Sequence, residues 1–163
     1  TFEKGLVSGW NLISLCFEPD DNSTSAVLGS EVMANVTEGG VQKYVPGTGF
    51  VPATTMDRGK GYFVHVTQDC TWNQTGMNKT APMTIPLEPG LNLVGYPFNW
   101  SKDTGDALSG LNYYYTAPFD ATDQKYDKTF NPVAPAPFND FTTINPCEGF
   151  WVSSKDGGDW TAS

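Results

Sequence analysis

Few side chains in this 163-residue chain could do covalent or acid–base chemistry: one histidine, three cysteines and scattered carboxylates. A Ser-His-Asp or Cys-His mechanism would have only His65 as its base. His65 lies in the run Tyr62-Phe63-Val64-His65-Val66, which reads as a strand, and no serine sits in a Gly-x-Ser-x-Gly elbow. A lone strand histidine reads as a packing or surface residue, so the chain is expected not to be an enzyme. Cys16, Cys70 and Cys147 lack Cys-x-x-Cys spacing, which argues against zinc. In an oxidising compartment an odd count implies one internal disulfide plus one thiol that is free or pairs between molecules. All three cysteines are therefore crosslink candidates, the alternative being three buried, inert thiols. Glu18, Asp20, Asp21, Asp103 and Asp106 follow two apolar runs. Paired carboxylates can hydrolyse glycosides, but calcium is the better functional use of loop acids, because a hard cation takes several loop oxygens. No EF-hand spacing is present, and no other cofactor is expected.

Asn-x-Ser/Thr triplets begin at Asn22, Asn35, Asn73, Asn78 and Asn99. They are glycosylation candidates and the main argument for an exported chain. The aromatic content invites a second binding chemistry, since Trp and Tyr faces stack on sugar rings. Trp10, Trp72, Trp151 and Trp160 are expected in the core. Trp100, Tyr113, Tyr114, Tyr115 and Phe119 are the interface candidates. Three successive strand tyrosines must show one face and hide the other, and exposed aromatics mark contacts with subunits or ligands.

Composition excludes several classes. Acidic residues outnumber basic ones by 18 to 9, for a net charge of −9. Arg58 is the only arginine, so nucleic acid is not an expected partner. No apolar stretch approaches the roughly 20 residues that span a bilayer, and membrane insertion is not expected. The first residues lack the basic and apolar regions of a signal peptide, as expected of a chain whose leader has been removed. With 17 glycines, 12 prolines and only 17% charged residues, the chain is built for turns rather than long helices.

The elements that position these residues are written twice. Gly9-Trp10-Asn11-Leu12-Ile13-Ser14-Leu15-Cys16-Phe17 matches Gly90-Leu91-Asn92-Leu93-Val94-Gly95-Tyr96-Pro97-Phe98. Gln42-Lys43-Tyr44 recurs as Gln124-Lys125-Tyr126, and Phe50-Val51-Pro52 as Phe130-Asn131-Pro132. Gly61-Tyr62-Phe63-Val64 recurs as Gly149-Phe150-Trp151-Val152, and Trp72 as Trp160, after an insertion around residues 133–143. These anchors, recurring in order, indicate an internal duplication, with residues 1–80 as the first repeat and 81–163 as the second.

Each half is expected to begin with a short strand at Phe2 to Val7 or Thr84 to Leu87, then an opening strand apolar on both faces and therefore buried. The aromatic closing strands, after Gly59-Lys60-Gly61 and Asn145-Pro146-Cys147-Glu148-Gly149, should pair with the opening strands. Short helical turns are expected at Ser25–Leu28 and Asp106–Leu108, capped by Ser or Asp. The expected fold is all-β: two tandem, pseudo-twofold-related sandwich- or barrel-like repeats in one compact unit, with short helical turns.

The motif pair GWNLISL and GKGYFV, recurring as GLNLVGYPF and CEGFWV, resembles a duplicated module of secreted and surface proteins of methanogenic archaea and some bacteria. The resemblance covers residues 5–18, 41–66, 87–98 and 124–154. It implies an extracellular β-rich module without an active site, and tubular sheath and extracellular filament subunits look like the nearest functional class. The expected function is a self-associating structural subunit of a sheath, surface layer or filament, joined through β-strand edges and disulfides. The alternative is a secreted glycan-binding or adhesive module whose partners are surface glycans.

Overall fold

A computed structural model describes residues 1–163, and the chain is mostly β. Gly9 and Gly90 open the two apolar runs with φ of +107° and +94°, a left-handed turn that glycine adopts without steric cost. In the first half the strands are β1 (Phe2–Leu6), β2 (Gly9–Ser14), β3 (Val36–Val45), β4 (Gly49–Pro52), β5 (Gly61–Val66) and β6 (Cys70–Gln74), with helix α1 (Thr24–Met33) between β2 and β3. All pairings are antiparallel. β1 pairs with β6, and a four-stranded sheet has the order β2-β5-β3-β4.

The second half contains β7 (Met83–Leu87), β8 (Gly90–Gly95), β9 (Lys102–Asp103), α2 (Thr104–Ala107), β10 (Tyr113–Pro118), β11 (Thr143–Ile144), β12 (Gly149–Ser154) and β13 (Gly158–Ala162). β7 pairs with β13, a three-stranded sheet runs β10-β12-β8, and β9 pairs with β11. A 3-10 turn at Ala136–Phe138 lies in the insertion. The opening and closing strands pair as expected, with Leu12 opposite Phe63 and Leu93 opposite Trp151.

The helices depart from expectation. α1 runs to ten residues rather than one turn, because Val27, Leu28 and Val32 give it an apolar face against the first core. Gly29, at φ +77°, breaks it midway. Ser23 makes no side-chain cap, and instead its N–H is held by Asp21. In α2 the cap is Asp103, whose carboxylate accepts the Asp106 N–H at 2.9 Å, so Asp106 is the capped residue and not the cap.

Each half closes its own core. Leu6, Ile13, Leu15, Leu28, Val64 and Trp72 pack in the first, with the β1–β6 ribbon and α1 covering the sheet. Ile85, Val94, Tyr96, Leu108, Phe150 and Trp160 pack in the second. A third cluster, Leu12, Phe63, Leu93 and Trp151, lies where the halves meet. There Ser14 N–H donates to the Cys147 carbonyl (3.1 Å) and Gly95 N–H to the Gly59 carbonyl (3.2 Å). Side chains are excluded at this seam: a Cβ at Gly61 would lie 2.9 Å from the Val94 carbonyl oxygen, and one at Gly149 3.0 Å from that of Ile13.

Buried tyrosines make the cores sensitive to alkali. Burial pushes Tyr62 and Tyr113 up to about 12 from an ordinary value of 10.0. The folded state holds both phenolic protons more tightly than the unfolded state. Their contribution to stability is therefore complete below pH 10 and is lost as pH rises through 12. Urea midpoints measured across that window are expected to fall, and Tyr113→Phe to flatten the fall. An unchanged slope in the variant would show that other groups cause it.

Candidate functional site

The outward face of the first-half sheet is lined with rings. β2 alternation puts Trp10 and Leu12 on one face, and pairing sets Trp10 opposite His65 and Leu12 opposite Phe63. β3 brings Gln42 opposite Phe63, and β4 brings Phe50 opposite Tyr44. The second half adds Phe119, Tyr126 and Trp151. Edge-to-face contacts link the set: Trp10–His65 4.9 Å, Tyr44–Trp151 4.9 Å, Phe50–Phe63 5.7 Å, Phe63–Phe119 5.3 Å and Phe119–Tyr126 5.2 Å.

Between these rings opens a cleft of about 460 Å³, lined by Trp10, Gly39, Gln42, Phe50, Phe63, Phe119 and Tyr126. Phe63 forms a buried floor, while the walls stand open: Trp10 is 36% exposed and Phe50 and Tyr126 52% each. None of the seven carries a charge, on a protein of net charge −9. Tyr126 accepts the Trp151 indole N–H at 3.0 Å and keeps its own hydroxyl proton to donate, and burial raises its pKa.

The second-half wall is held by Gln124. Its side chain takes the Trp10 N–H (2.9 Å) and donates to the Trp10 carbonyl (2.7 Å), completing the free edge of β2 as another strand would. Gln124 adopts φ +53°, and Gly9 leaves it room, since a Cβ there would lie 2.7 Å from the Gln124 amide oxygen.

Of the interface candidates, Phe119 alone lines the cleft. Tyr113 is buried, whereas Tyr114 and Tyr115 are both exposed. A register shift between Tyr113 and Tyr115 breaks the expected alternation. Trp100 stacks on Phe98 at 4.6 Å and donates its indole N–H to the Tyr96 hydroxyl. Trp72, Trp151 and Trp160 are core residues as expected; Trp10 is not, and stands on the cleft wall. Trp10, Phe50, Phe63 and Tyr126 were missed as a site. Trp10, Phe50 and Phe63 lie in strands whose apolar residues read as burial, and Tyr126 lies in a loop, so the sequence holds no separate signal for the site.

Cys16 and Cys147 are joined in one disulfide, with both residues buried, so neither is left for a bond between molecules. Cys70 is a buried thiol, and burial, then Glu31 and Asp69, raise its pKa. The five loop acids do not assemble as a cation site. Glu18 lies 3.5 Å from Arg58, Asp21 holds Ser23, Asp103 caps α2, and Asp20 and Asp106 are exposed. The acids that gather are Asp120, Asp123 and Asp127, within 4.8 Å of one another, and Asp120 accepts the Asp123 N–H of its own loop. Among the glycosylation candidates, Asn22, Asn73 and Asn78 are exposed. Asn22 donates to Asp57 and Asn35 to the Glu31 carbonyl, and Asn99 is half-buried. His65 lies against Trp10, its Nδ1 3.4 Å from the Thr37 hydroxyl. No helix is long and apolar enough to cross a membrane.

No family model matches the chain, and neither a curated protein nor a solved structure matches it.

Proposed function

We propose that the protein is a non-catalytic module of an extracellular cell-surface assembly and that the aromatic cleft is its working part. The observation that carries this reading is the cleft itself: about 460 Å³ of ring-lined, uncharged space on an acidic protein. That volume lies in the range of small-ligand sites, and an uncharged lining selects a neutral partner with flat or apolar faces. The internal disulfide and the three exposed acceptor asparagines support an oxidising, exported setting. The likeness of the paired motifs to surface modules of methanogenic archaea supports a sheath, surface-layer or filament subunit.

The same reading takes residues 1–80 and 81–163 as tandem copies about a pseudo-twofold. Several paired details support it. Asn11 bonds the backbone of Val7, and Asn92 that of Glu88, in the same way. The Trp72 indole donates to the Val27 carbonyl, and that of Trp160 to the Ala107 carbonyl. The seam places Leu12 and Phe63 against Leu93 and Trp151.

A glycan-binding version is favoured by polar groups on the walls. The Tyr126 hydroxyl proton is free to donate, and the Gln42 amide stands beside rings on which a pyranose face can stack. Sedimentation of the pure protein with insoluble cell envelopes tests the reading. Retention is expected, with Trp10→Ala weakening it at least about tenfold, the size of effect that loss of an aromatic anchor produces. Equal retention of wild type and variant would remove the cleft from the account.

A further inference from the structure

We infer that the occupant of the cleft is a second copy of this chain, which inserts the apolar tip of its second-half insertion, residues 132–138. This rests on the reading of the cleft as a recognition site and names its partner. Val133 and Phe138 are 83% and 74% exposed, more than any other large apolar side chain in the protein. Isolated exposed apolar residues are ordinary, but these two share one short protrusion that is rigid at its base.

The base is clasped from both sides. Asn131 N–H donates to the Asn139 side chain (2.9 Å), which returns a bond to the Asn131 carbonyl (3.1 Å). Thr129 N–H donates to Asp140 (2.7 Å), and the Thr129 carbonyl accepts from Asp140 and Phe141. Phe130 exchanges two bonds with Thr116, and Phe141 is buried in the second core. Pro132, Pro135 and Pro137 restrict the backbone further, so little freedom remains to be lost on docking. No residue from 132 to 138 is buried, and the tip lies outside the cleft of its own chain.

Charge decides which surfaces can meet. Two copies of a −9 protein repel, and a contact that buries an unpaired carboxylate is costly. Residues 129–139 carry no charge, and neither does the cleft lining, so tip and cleft can meet without desolvating an ion. An open, ring-lined cleft accepts the Phe138 ring edge-to-face, in the geometry its own rings already use. Tip and cleft are different patches, so the contact runs head to tail and generates open chains instead of closing on a dimer. A seven-residue tip in such a cleft buries on the order of 1,000 Å², at the lower end of specific interfaces, so each contact is weak and growth needs crowding.

Analytical ultracentrifugation up to about 1 mM, a range that captures weak contacts, reads the outcome. Wild type is expected to grow beyond dimer as concentration rises. Phe138→Asp on the tip and Trp10→Ala in the cleft should each remain monomeric, with unchanged circular dichroism. Mixed together, the two variants should pair and stop at a dimer, because only one productive contact remains. A monomeric wild type, or a Phe138→Asp variant that grows as wild type does, overturns the inference. If the monomeric protein still binds envelopes through Trp10, the recognition reading stands without self-docking; if Trp10→Ala changes neither measurement, both fall.

Discussion

Replacing Cys16 with Ala and Cys147 with Gly is expected to lower the unfolding free energy by about 4 kcal/mol, enough to bring a typical domain close to unfolding at room temperature. The bond closes a sequence separation of 131 residues and fastens the end of the first opening strand to the turn before the second closing strand. Loop-closure entropy for a crosslink of that span is about 5 kcal/mol, set against typical measured effects of 2–4. A counter-term is visible at Cys147, which holds φ +62° where the first half has Gly59. A left-handed backbone at a residue with a Cβ costs roughly 1–2 kcal/mol, and glycine returns that amount. Cys147→Ala, keeping the Cβ, should therefore be less stable than Cys147→Gly in the same Cys16→Ala background. Urea unfolding of the two double variants and wild type measures both differences. A loss below about 1 kcal/mol would mean that the seam holds the halves without the crosslink.

The second large effect is expected at Gln74→Leu, a loss of about 3–5 kcal/mol from exchanging one buried side chain for an apolar one of similar size. Gln74 is fully buried, and its carbonyl oxygen accepts the N–H groups of Cys16 and Phe17, each at 3.0 Å. Its amide donates to the Phe17 carbonyl at 2.9 Å. Leucine leaves two donors and one acceptor buried without partners, each costing about 1–3 kcal/mol. The sulfurs of Cys16 and Cys147 also lie near the Gln74 oxygen, at 3.4 and 3.5 Å, but disulfide sulfur has no proton to give. Asn73→Ala, on the exposed neighbour, should stay within about 0.5 kcal/mol and serves as the control. Equal effects at both positions would mean that the segment after Ser14 finds other partners.

The strands were legible because their causes are local. Glycine turns and short aromatic or β-branched runs set β2, β5, β8 and β12, and the same runs gave the partners. α1 was underestimated because Gly29 interrupts the apolar spacing of Val27, Leu28 and Val32, so only its first turn shows. The tyrosine run misled because strict alternation presumes a regular ladder, and the bulge at Tyr113–Tyr115 depends on β12, a partner far along the chain. Trp10 was misplaced for a similar reason. A strand apolar on both faces predicts two covered faces, yet the second half covers only part of this one, over Leu12 and Phe63, and leaves Trp10 at the margin. The cleft joins residues from position 10 to position 126, across four strands of one sheet and the loop after β10, so no local pattern announces it. The odd cysteine count did foretell one internal disulfide and one thiol, but not which pair forms.

The third thiol is the one rival for that bond among the three cysteines. Cys16, Cys70 and Cys147 share one buried cluster, the first two within residues 1–80 and the third within residues 81–163. Within residues 1–80, Cys70 is the only other cysteine that Cys16 could meet. In the folded chain Cys70 is buried at the start of β6, and burial together with Glu31 and Asp69 favours its protonated thiol, which disfavours attack on the Cys16–Cys147 bond. The buried odd thiol is thus a rival held idle beside the bond it could scramble.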